Sequence, residues 1–218
     1  MRRDFTWRDG ERLVRFGRGA IDDAPALLGE GYVLVTTARA LGQAPALAER
    51  ASAVHTIGAG PVDALAGDLL APLGGFEGLV VALGGGRVVD VAKALAAAST
   101  ARRAAAVPTT LSAAEMTWLH RHARGVPDGT PHARATIVLN DPALSGSQPA
   151  PDLFASAANS LGHAIEAPAT TMASPVPTLA ATEAVRLTAQ AIAEPGSPDR
   201  DALALAALLS GYAIDGSW

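Results

Sequence analysis

Apolar residues in the first 140 positions fall into short runs that alternate with segments of helical spacing. The most apolar run, residues 78–83, is bounded by glycines and is typical of a buried parallel strand. After it, Val88, Val91 and Leu95 recur at helical spacing, so a helix is expected there. Further strands are predicted at residues 13–17, 32–37, 53–57 and 104–107, and further helices at 21–28, 38–51 and 62–70.

Alternation of strands and helices predicts βαβ units and a parallel sheet. Right-handed crossovers would place the end of the 78–83 strand at the carboxyl edge of that sheet, where ligands bind. Two more segments, 116–124 and 133–139, are separated by strong turn signals at 125–131. We expect these two segments to form a hairpin.

The character of the sequence changes near residue 140. A linker rich in Pro, Ser and Gly covers 145–151, and only helical patterns follow it, at 153–167, 178–193 and 200–213, with a second linker at 194–198. The predicted organisation is therefore an α/β, Rossmann-like domain at 1–148 and an all-helical part at 149–218.

Composition narrows the function classes. The 218 residues carry a formal charge of −4 without a basic block, which argues against a nucleic-acid surface. The absence of cysteine excludes disulfides and thiolate zinc sites. The N-terminus lacks an apolar signal core, and the longest apolar stretch, 202–209, is too short to span a bilayer. We expect a soluble cytoplasmic protein that binds neither nucleic acid nor membrane.

Three glycines, Gly84, Gly85 and Gly86, follow the central strand and precede its helix. Glycine lets the backbone adopt positive φ and lets an anion approach, and the N-terminus of a helix favours a phosphate. The turn can therefore be a pyrophosphate site or a tight turn without a ligand, and it matches neither of the two common nucleotide motifs. Thr109 and Thr110 end the next strand; their hydroxyls can bind a ribose or phosphate, or cap a helix.

Two groups of residues that include histidines are candidates for metal binding or catalysis. His120, His122 and His132 could bind a metal, but they lie in a polar segment with arginines, so we expect a surface role. Asn159 and His163 are four residues apart on one predicted helix face, and Glu166 follows three residues later. Taken alone, these three residues can equally be a partly exposed polar stripe.

The segment 84–93, which reads Gly-Gly-Gly-x-x-x-Asp-x-Ala-Lys, and the segment 108–117, which begins Pro-Thr-Thr, resemble the iron-containing alcohol dehydrogenase superfamily. The chain is most similar to its maleylacetate reductase branch, from Val14 to Trp218. The resemblance implies a dehydroquinate synthase-like fold and NAD(P)H-dependent reduction of a small carbonyl or enol substrate, with His163 and Asn159 as catalytic residues. The residues that it implies for NAD or NADP binding are Gly84, Gly85, Gly86, Arg87, Thr109, Thr110, Ser112, Thr36 and Thr37.

The sequence departs from the family pattern at four places. Asn159 stands where metal-dependent relatives have Asp, so we expect no catalytic metal, because a neutral amide oxygen holds a divalent cation weakly. Arg87 replaces a serine and could contact a phosphate, contact an NADP 2′-phosphate or block the groove. Ala113 and Ala114 replace a Gly-Ser pair, so a backbone that needs glycine there, or a serine hydroxyl that binds the cofactor, would be lost. The end of the second predicted strand lacks the Asp of NAD-selective relatives, and this absence should weaken discrimination against NADP.

The chain ends at Trp218, before the helices that carry further histidines in the family, so a truncated or naturally short member is expected. The alternative is a degenerate or split nucleotide-binding protein without catalysis, whose helical part a partner chain completes. A weaker alternative is a lyase or synthase of the related dehydroquinate synthase-like fold. The helix at 200–213 is apolar on most faces, and only two earlier helices are predicted to cover it, so we expect part of it to face solvent. We therefore expect a homo-oligomer or a complementing partner chain, with Leu205, Leu209 and Tyr212 near the contact.

Overall fold

The computed structural model describes residues 3–194 and 196–218, and a seven-stranded sheet lies at its centre. The strands in chain order are β1 (Phe5–Asp9), β2 (Arg12–Phe16), β3 (Tyr32–Thr36), β4 (Ala51–Thr56), β5 (Gly78–Gly84), β6 (Arg102–Pro108) and β7 (Ala135–Asn140). Their spatial order is β1-β2-β7-β6-β5-β3-β4. Every neighbouring pair is parallel except β1 with β2. The predicted α/β fold with a parallel sheet is therefore confirmed.

Helices follow most strands and then continue alone to the C-terminus. They are α1 (Ala24–Leu28), α2 (Ala38–Gln43), α3 (Ala46–Glu49), α4 (Val62–Leu73), α5 (Gly86–Ala97), α6 (Pro142–Ser145), α7 (Ala150–Glu166), α8 (Pro175–Ala191) and α9 (Arg200–Asp215). Among the described residues, none of these helices is long and apolar enough to cross a membrane. Of the predicted linker at 194–198, Pro195 lies outside the described residues.

Two local predictions are wrong. The single helix expected at 38–51 is two short helices, because Ala44 leaves helical geometry ahead of Pro45, whose ring disfavours a helical residue before it. The expected hairpin does not form: residues 116–124 contain no strand, and β7 lies between β2 and β6, parallel to both. The antiparallel partner of β2 is instead β1, which joins it through a turn at Gly10 and was not anticipated.

Apolar side chains fill both faces of the sheet. On one face, Val80 and Ala82 belong to a cluster that also contains Val91 of α5 and the buried leucines of α7, α8 and α9. On the other face, Val81 and Leu83 belong to a cluster that includes residues of α1, α2 and α3. The carboxyl ends of β3, β5 and β6 remain at the edge between these two layers, and this is where the glycine turn lies.

The predicted exposure of α9 is wrong. Leu205 is only 2% exposed, and Leu209 and Tyr212 are half-buried. Besides α7 and α8, the helix is covered by two parts of the chain that are not helical. Gly211 contacts the segment that contains Ala113 and Met116, and the Tyr212 ring packs edge-on against Trp7 of β1 at 5.2 Å between centroids. These residues are therefore not an exposed contact surface.

Candidate functional site

The glycine turn joins β5 to α5 without left-handed backbone. Gly85 has φ −79° and ψ −176°, and Gly84 and Gly86 also lack positive φ, so the expectation of positive φ at these glycines is wrong. Glycine is required at positions 85 and 86 because side chains of the segment after β6 pack closely against the turn. A Cβ on Gly85 would lie 2.9 Å from Thr110 Cγ2, and a Cβ on Gly86 would lie 2.9 Å from Ser112 Cβ. The turn is therefore packed directly on the segment that follows β6.

A cleft of about 320 Å³ opens at this turn. The helix α5 begins there, so its unpaired N-terminal N–H groups and its dipole favour an anion in the cleft. The residues that border it are Thr37, Arg39, Ala40, Gly85, Gly86, Arg87, Val88, Thr109 and Thr110. Six of the predicted cofactor residues are thus brought together: Thr37, Gly85, Gly86, Arg87, Thr109 and Thr110.

Three predicted cofactor residues do not border this cleft. Thr36 is fully buried, and its Oγ1 donates a hydrogen bond to the Leu83 carbonyl at 2.9 Å. Gly84 ends β5, and its carbonyl accepts a hydrogen bond from the Thr109 N–H at 2.9 Å. Ser112 borders a second cavity instead. Thr36 and Gly84 therefore lie at the strand ends, whereas the residues that border the cleft are one or two positions later.

Arg39 was missed by the sequence reasoning. It lies in the first turn of α2, directly after the end of β3, and its exposed side chain borders the cleft together with that of Arg87. A cation in the first turn of a helix opposes the helix dipole, and this unfavourable placement was the signal that could have identified it. The two guanidinium groups give the cleft a positive border.

A second cavity of about 510 Å³ lies between the α5 side of the sheet and the helical part of the chain. Ser112 connects the two cavities, since it borders this one while its Cβ and Oγ lie against Gly86. The remaining border consists of Asp90, Ala114, Thr117, Trp118, Leu119, His163, Glu166, Ile214, Asp215 and Trp218. A largely apolar wall with a few polar groups is typical of a site for a small molecule.

His163 is the imidazole that borders this cavity. Its Nε2 lies 3.4 Å from Asn159 Nδ2, one helical turn earlier, and its Nδ1 lies 3.8 Å from Glu166 Oε2. When Asn159 donates to Nε2, the neutral ring carries its proton on Nδ1. Asn159 itself is exposed and does not border the cavity, so in this arrangement it orients His163.

Lys93, the only lysine in the sequence, is completely buried and anchors the segment between the two cavities. Its Nζ donates hydrogen bonds to the carbonyls of Ala114 at 3.0 Å, Thr117 at 3.1 Å and Leu119 at 3.0 Å. It also forms an ion pair with Asp90 Oδ1 at 2.9 Å. Burial lowers the pKa of the Lys93 amine, and burial raises the pKa of Asp90 against the opposing effect of Lys93.

Two further features of this segment matter for stability. Glu115 is buried, and its Oε2 has no hydrogen-bond partner among the described residues; burial raises the pKa of this carboxyl to about 7.

Ala113 has φ +62°, the left-handed region that favours glycine. The concern that the Gly-Ser position of the family needs glycine is therefore justified by the backbone geometry.

The predicted surface role of His120, His122 and His132 needs correction. His120 is 6% exposed, His122 and His132 are half-buried, and one ring nitrogen of each lies within 4.8 Å of the others. A mere surface role is wrong, and the expectation that the chain binds no metal is not supported. On α7, by contrast, His163 and Glu166 are accompanied only by the neutral Asn159, and within the described residues they are not part of a three-ligand group.

Comparison with solved structures reveals the same fold in several reductases and dehydrogenases. The maleylacetate reductase from Agrobacterium tumefaciens matches with 25% identity and a TM-score of 0.78 over 99% of this chain and 66% of that one. The sulfoacetaldehyde reductase from Bifidobacterium kashiwanohense in complex with NAD+ matches with 25% identity and a TM-score of 0.72 over 96% and 66%. An iron-containing alcohol dehydrogenase from Thermotoga maritima matches with 18% identity and a TM-score of 0.74 over 98% and 68%.

No protein-family model and no curated protein matches the chain. The resemblance to iron-containing alcohol dehydrogenases and maleylacetate reductases is confirmed in the fold. The match covers 99% of this chain but only 66% of the length of that maleylacetate reductase.

Proposed function

We propose that this chain is an NAD(P)H-dependent oxidoreductase that reduces a small carbonyl or enol substrate. The observation that carries the proposal is the cleft at the β5–α5 turn, where glycines let the start of a helix pack against Thr110 and Ser112. The fold shared with maleylacetate reductase, and with a sulfoacetaldehyde reductase crystallised with NAD+, supports this assignment.

The residues of the cleft fit a dinucleotide. The N–H groups at the start of α5 and the Thr110 hydroxyl can bind a pyrophosphate. The end of β3 offers Thr37 rather than a carboxylate, and Arg39 follows it. A carboxylate there would bind a ribose diol and repel a 2′-phosphate, whereas an arginine pairs with that phosphate. We therefore infer a preference for NADPH over NADH.

The second cavity is the proposed substrate site. When bound, the nicotinamide supplies a hydride to a carbonyl carbon. His163 can donate its Nδ1 proton to the carbonyl oxygen, and Asn159 holds the ring in the tautomer that carries this proton. Since Asn159 is neutral, we infer that polarisation of the carbonyl depends on His163 and not on a metal held by α7.

Replacement of Arg39 tests the cofactor part of the proposal. A charge-assisted contact contributes about 1.5–3 kcal/mol, so Arg39→Ala should weaken NADPH binding by about 10- to 100-fold and leave NADH binding nearly unchanged. The matched control is Arg103→Ala, which removes an exposed arginine at the opposite end of the sheet. Equal effects of Arg39→Ala on both cofactors would contradict the preference.

Turnover tests the catalytic part. Oxidation of NADPH should be measured with maleylacetate and with small aldehydes, and His163→Gln should lower kcat by about 100-fold or more if His163 is the general acid. Asn159→Leu should lower kcat less and shift its pH profile, because the ring remains but its tautomer is no longer fixed. Full turnover by folded His163→Gln would exclude this role.

A second candidate function is nucleotide binding without catalysis by this chain alone. Exposed apolar side chains on α7, α8 and the segment between them favour a partner chain: Ile165, Met172, Val176 and Leu179. The exposed Trp218 lies at the border of the second cavity, so a partner there would complete the proposed substrate site. Tight NADPH binding, absence of turnover and a monomeric sedimentation profile together would favour this candidate.

A further inference from the structure

We propose that His120, His122 and His132 bind a divalent transition-metal ion of the zinc type, which fixes the segment between β6 and β7. One ring nitrogen of each residue lies within 4.8 Å of the others. The ring centroids are 5.4 Å apart for His120 and His122, 4.7 Å for His120 and His132, and 4.4 Å for His122 and His132. Three imidazoles without a carboxylate favour zinc, cobalt or copper over magnesium or calcium.

The spacing of the rings agrees with such a site. Around a tetrahedral zinc ion with bonds of about 2.0–2.1 Å, ligating nitrogens lie about 3.4 Å apart and ring centres about 5 Å apart. The three centroid distances scatter around that value, so the rings are already gathered. Binding requires small ring rotations that bring the nitrogens closer by up to about 1.4 Å.

Hydrogen bonds fix the tautomers of two of the rings. Ligating histidines usually donate the other ring N–H to a carbonyl or carboxylate. His132 Nε2 donates to the His120 carbonyl at 3.0 Å, which leaves the Nδ1 lone pair free. His120 Nε2 accepts the Ala133 N–H at 3.0 Å, so its Nδ1 carries the proton that it donates to the Arg121 carbonyl at 3.0 Å. An ion bound at His120 Nε2 would replace the bond from Ala133.

His122 supplies the independent observation. Its Nδ1 is buried and has no hydrogen-bond partner among the described residues. A buried polar atom without a partner is unfavourable, and such an atom in a native structure often indicates an ion or water. Coordination to a metal would satisfy this nitrogen.

The effect of the ion follows from where the cluster lies. Residues 117–134 contain neither helix nor strand, and the ligands span this segment from His120 to His132. A metal that closes such a loop stabilises the folded state, because ligands that are apart in the unfolded chain are brought together. The Trp118 ring packs edge-on against His132 at 4.9 Å, and Trp118 borders the second cavity. The ion would therefore stiffen one wall of that cavity.

The test is a titration of chelator-treated protein with Co²⁺, followed by its ligand-field absorption, and with Zn²⁺, followed by calorimetry. We expect one ion per chain and a tetrahedral cobalt spectrum. His122→Ala and His132→Ala should each weaken binding by more than the ~10–100-fold that loss of an outer-shell partner costs. His55→Ala on β4 and His163→Ala on α7 are the matched controls and should bind as the wild type does.

Two outcomes would overturn the proposal. One is the absence of stoichiometric Co²⁺ or Zn²⁺ binding by folded wild-type protein. The other is loss of binding in His163→Ala but not in His122→Ala, which would place the ion on α7. If a histidine variant fails to fold, anomalous diffraction from zinc-loaded wild-type crystals gives the decision: the ion lies at the three loop rings, or the proposal is wrong.

Discussion

Replacement of Lys93 by methionine tests how the segment between the two cavities is held. Methionine keeps most of the volume and removes the ammonium group. Three carbonyls, those of Ala114, Thr117 and Leu119, then lose a donor, and Asp90 loses its ion-pair partner. Three lost hydrogen bonds at about 0.5–1.5 kcal/mol each are partly offset because the ammonium charge is no longer buried, so the free energy of unfolding should decrease by about 2 kcal/mol.

A double-mutant cycle separates the ion pair from the carbonyl contacts. Urea unfolding of wild type, Asp90→Asn, Lys93→Met and the double variant should give a coupling energy of about 1–3 kcal/mol between the two residues. Arg103→Met removes an exposed cation and should change stability by less than about 0.5 kcal/mol. If Lys93→Met is no more destabilising than Arg103→Met, the proposed anchor does not hold the segment.

Two further predictions concern stability. Burial raises the pKa of Glu115 from the ordinary value of 4.5 to about 7 in the folded state. The unfolded chain therefore loses this proton at lower pH than the folded chain does, and the free energy of unfolding falls as the pH rises from 4.5 to about 7. Glu115→Gln should remove this slope and gain roughly 3 kcal/mol over the wild type above about pH 7; parallel urea-unfolding profiles against pH would refute it. Gly211→Ala should destabilise by about 1–3 kcal/mol, since its Cβ would lie 2.7 Å from the Ala113 carbonyl oxygen. Gly162→Ala, with no atom within 4 Å, should instead stabilise α7 by about 0.5–1 kcal/mol, and thermal melts with the same sign for both would contradict this packing.

The sheet was predictable because each buried strand is a short local run of β-branched or small apolar residues. The hairpin predicted at 116–139 was wrong, since turn residues at 125–131 identify a turn but not the strands that pair. β7 pairs with β2, whose residues are more than a hundred positions away, and no local pattern records such a pairing. β1 was missed for a different reason: its pairing with β2 is local, but its five residues, Phe5–Asp9, include only two apolar side chains, Phe5 and Trp7.

The candidate site was likewise predictable only in part. The glycine and threonine turns were found from the sequence, but their physical basis is contact with Thr110 and Ser112 and not positive φ. Lys93 was visible as part of a motif, whereas its three carbonyl partners lie in a segment without regular structure. The prediction that α9 is only partly covered was wrong, because Trp7 and the segment at Ala113 cover it from distant parts of the chain.

The most direct test of the central claim is calorimetric titration of NADPH into wild type, Gly85→Val and the control Gly162→Ala, with circular dichroism to establish folding. The wild type should bind with a dissociation constant in the micromolar to millimolar range. Gly85→Val should bind at least about 10-fold more weakly, because its Cβ would lie 2.9 Å from Thr110 Cγ2 and force the turn out of place. Gly162→Ala should bind as the wild type does. Failure of the folded wild type to bind NADPH, or equal affinity in Gly85→Val, would contradict the assignment of this cleft to the cofactor.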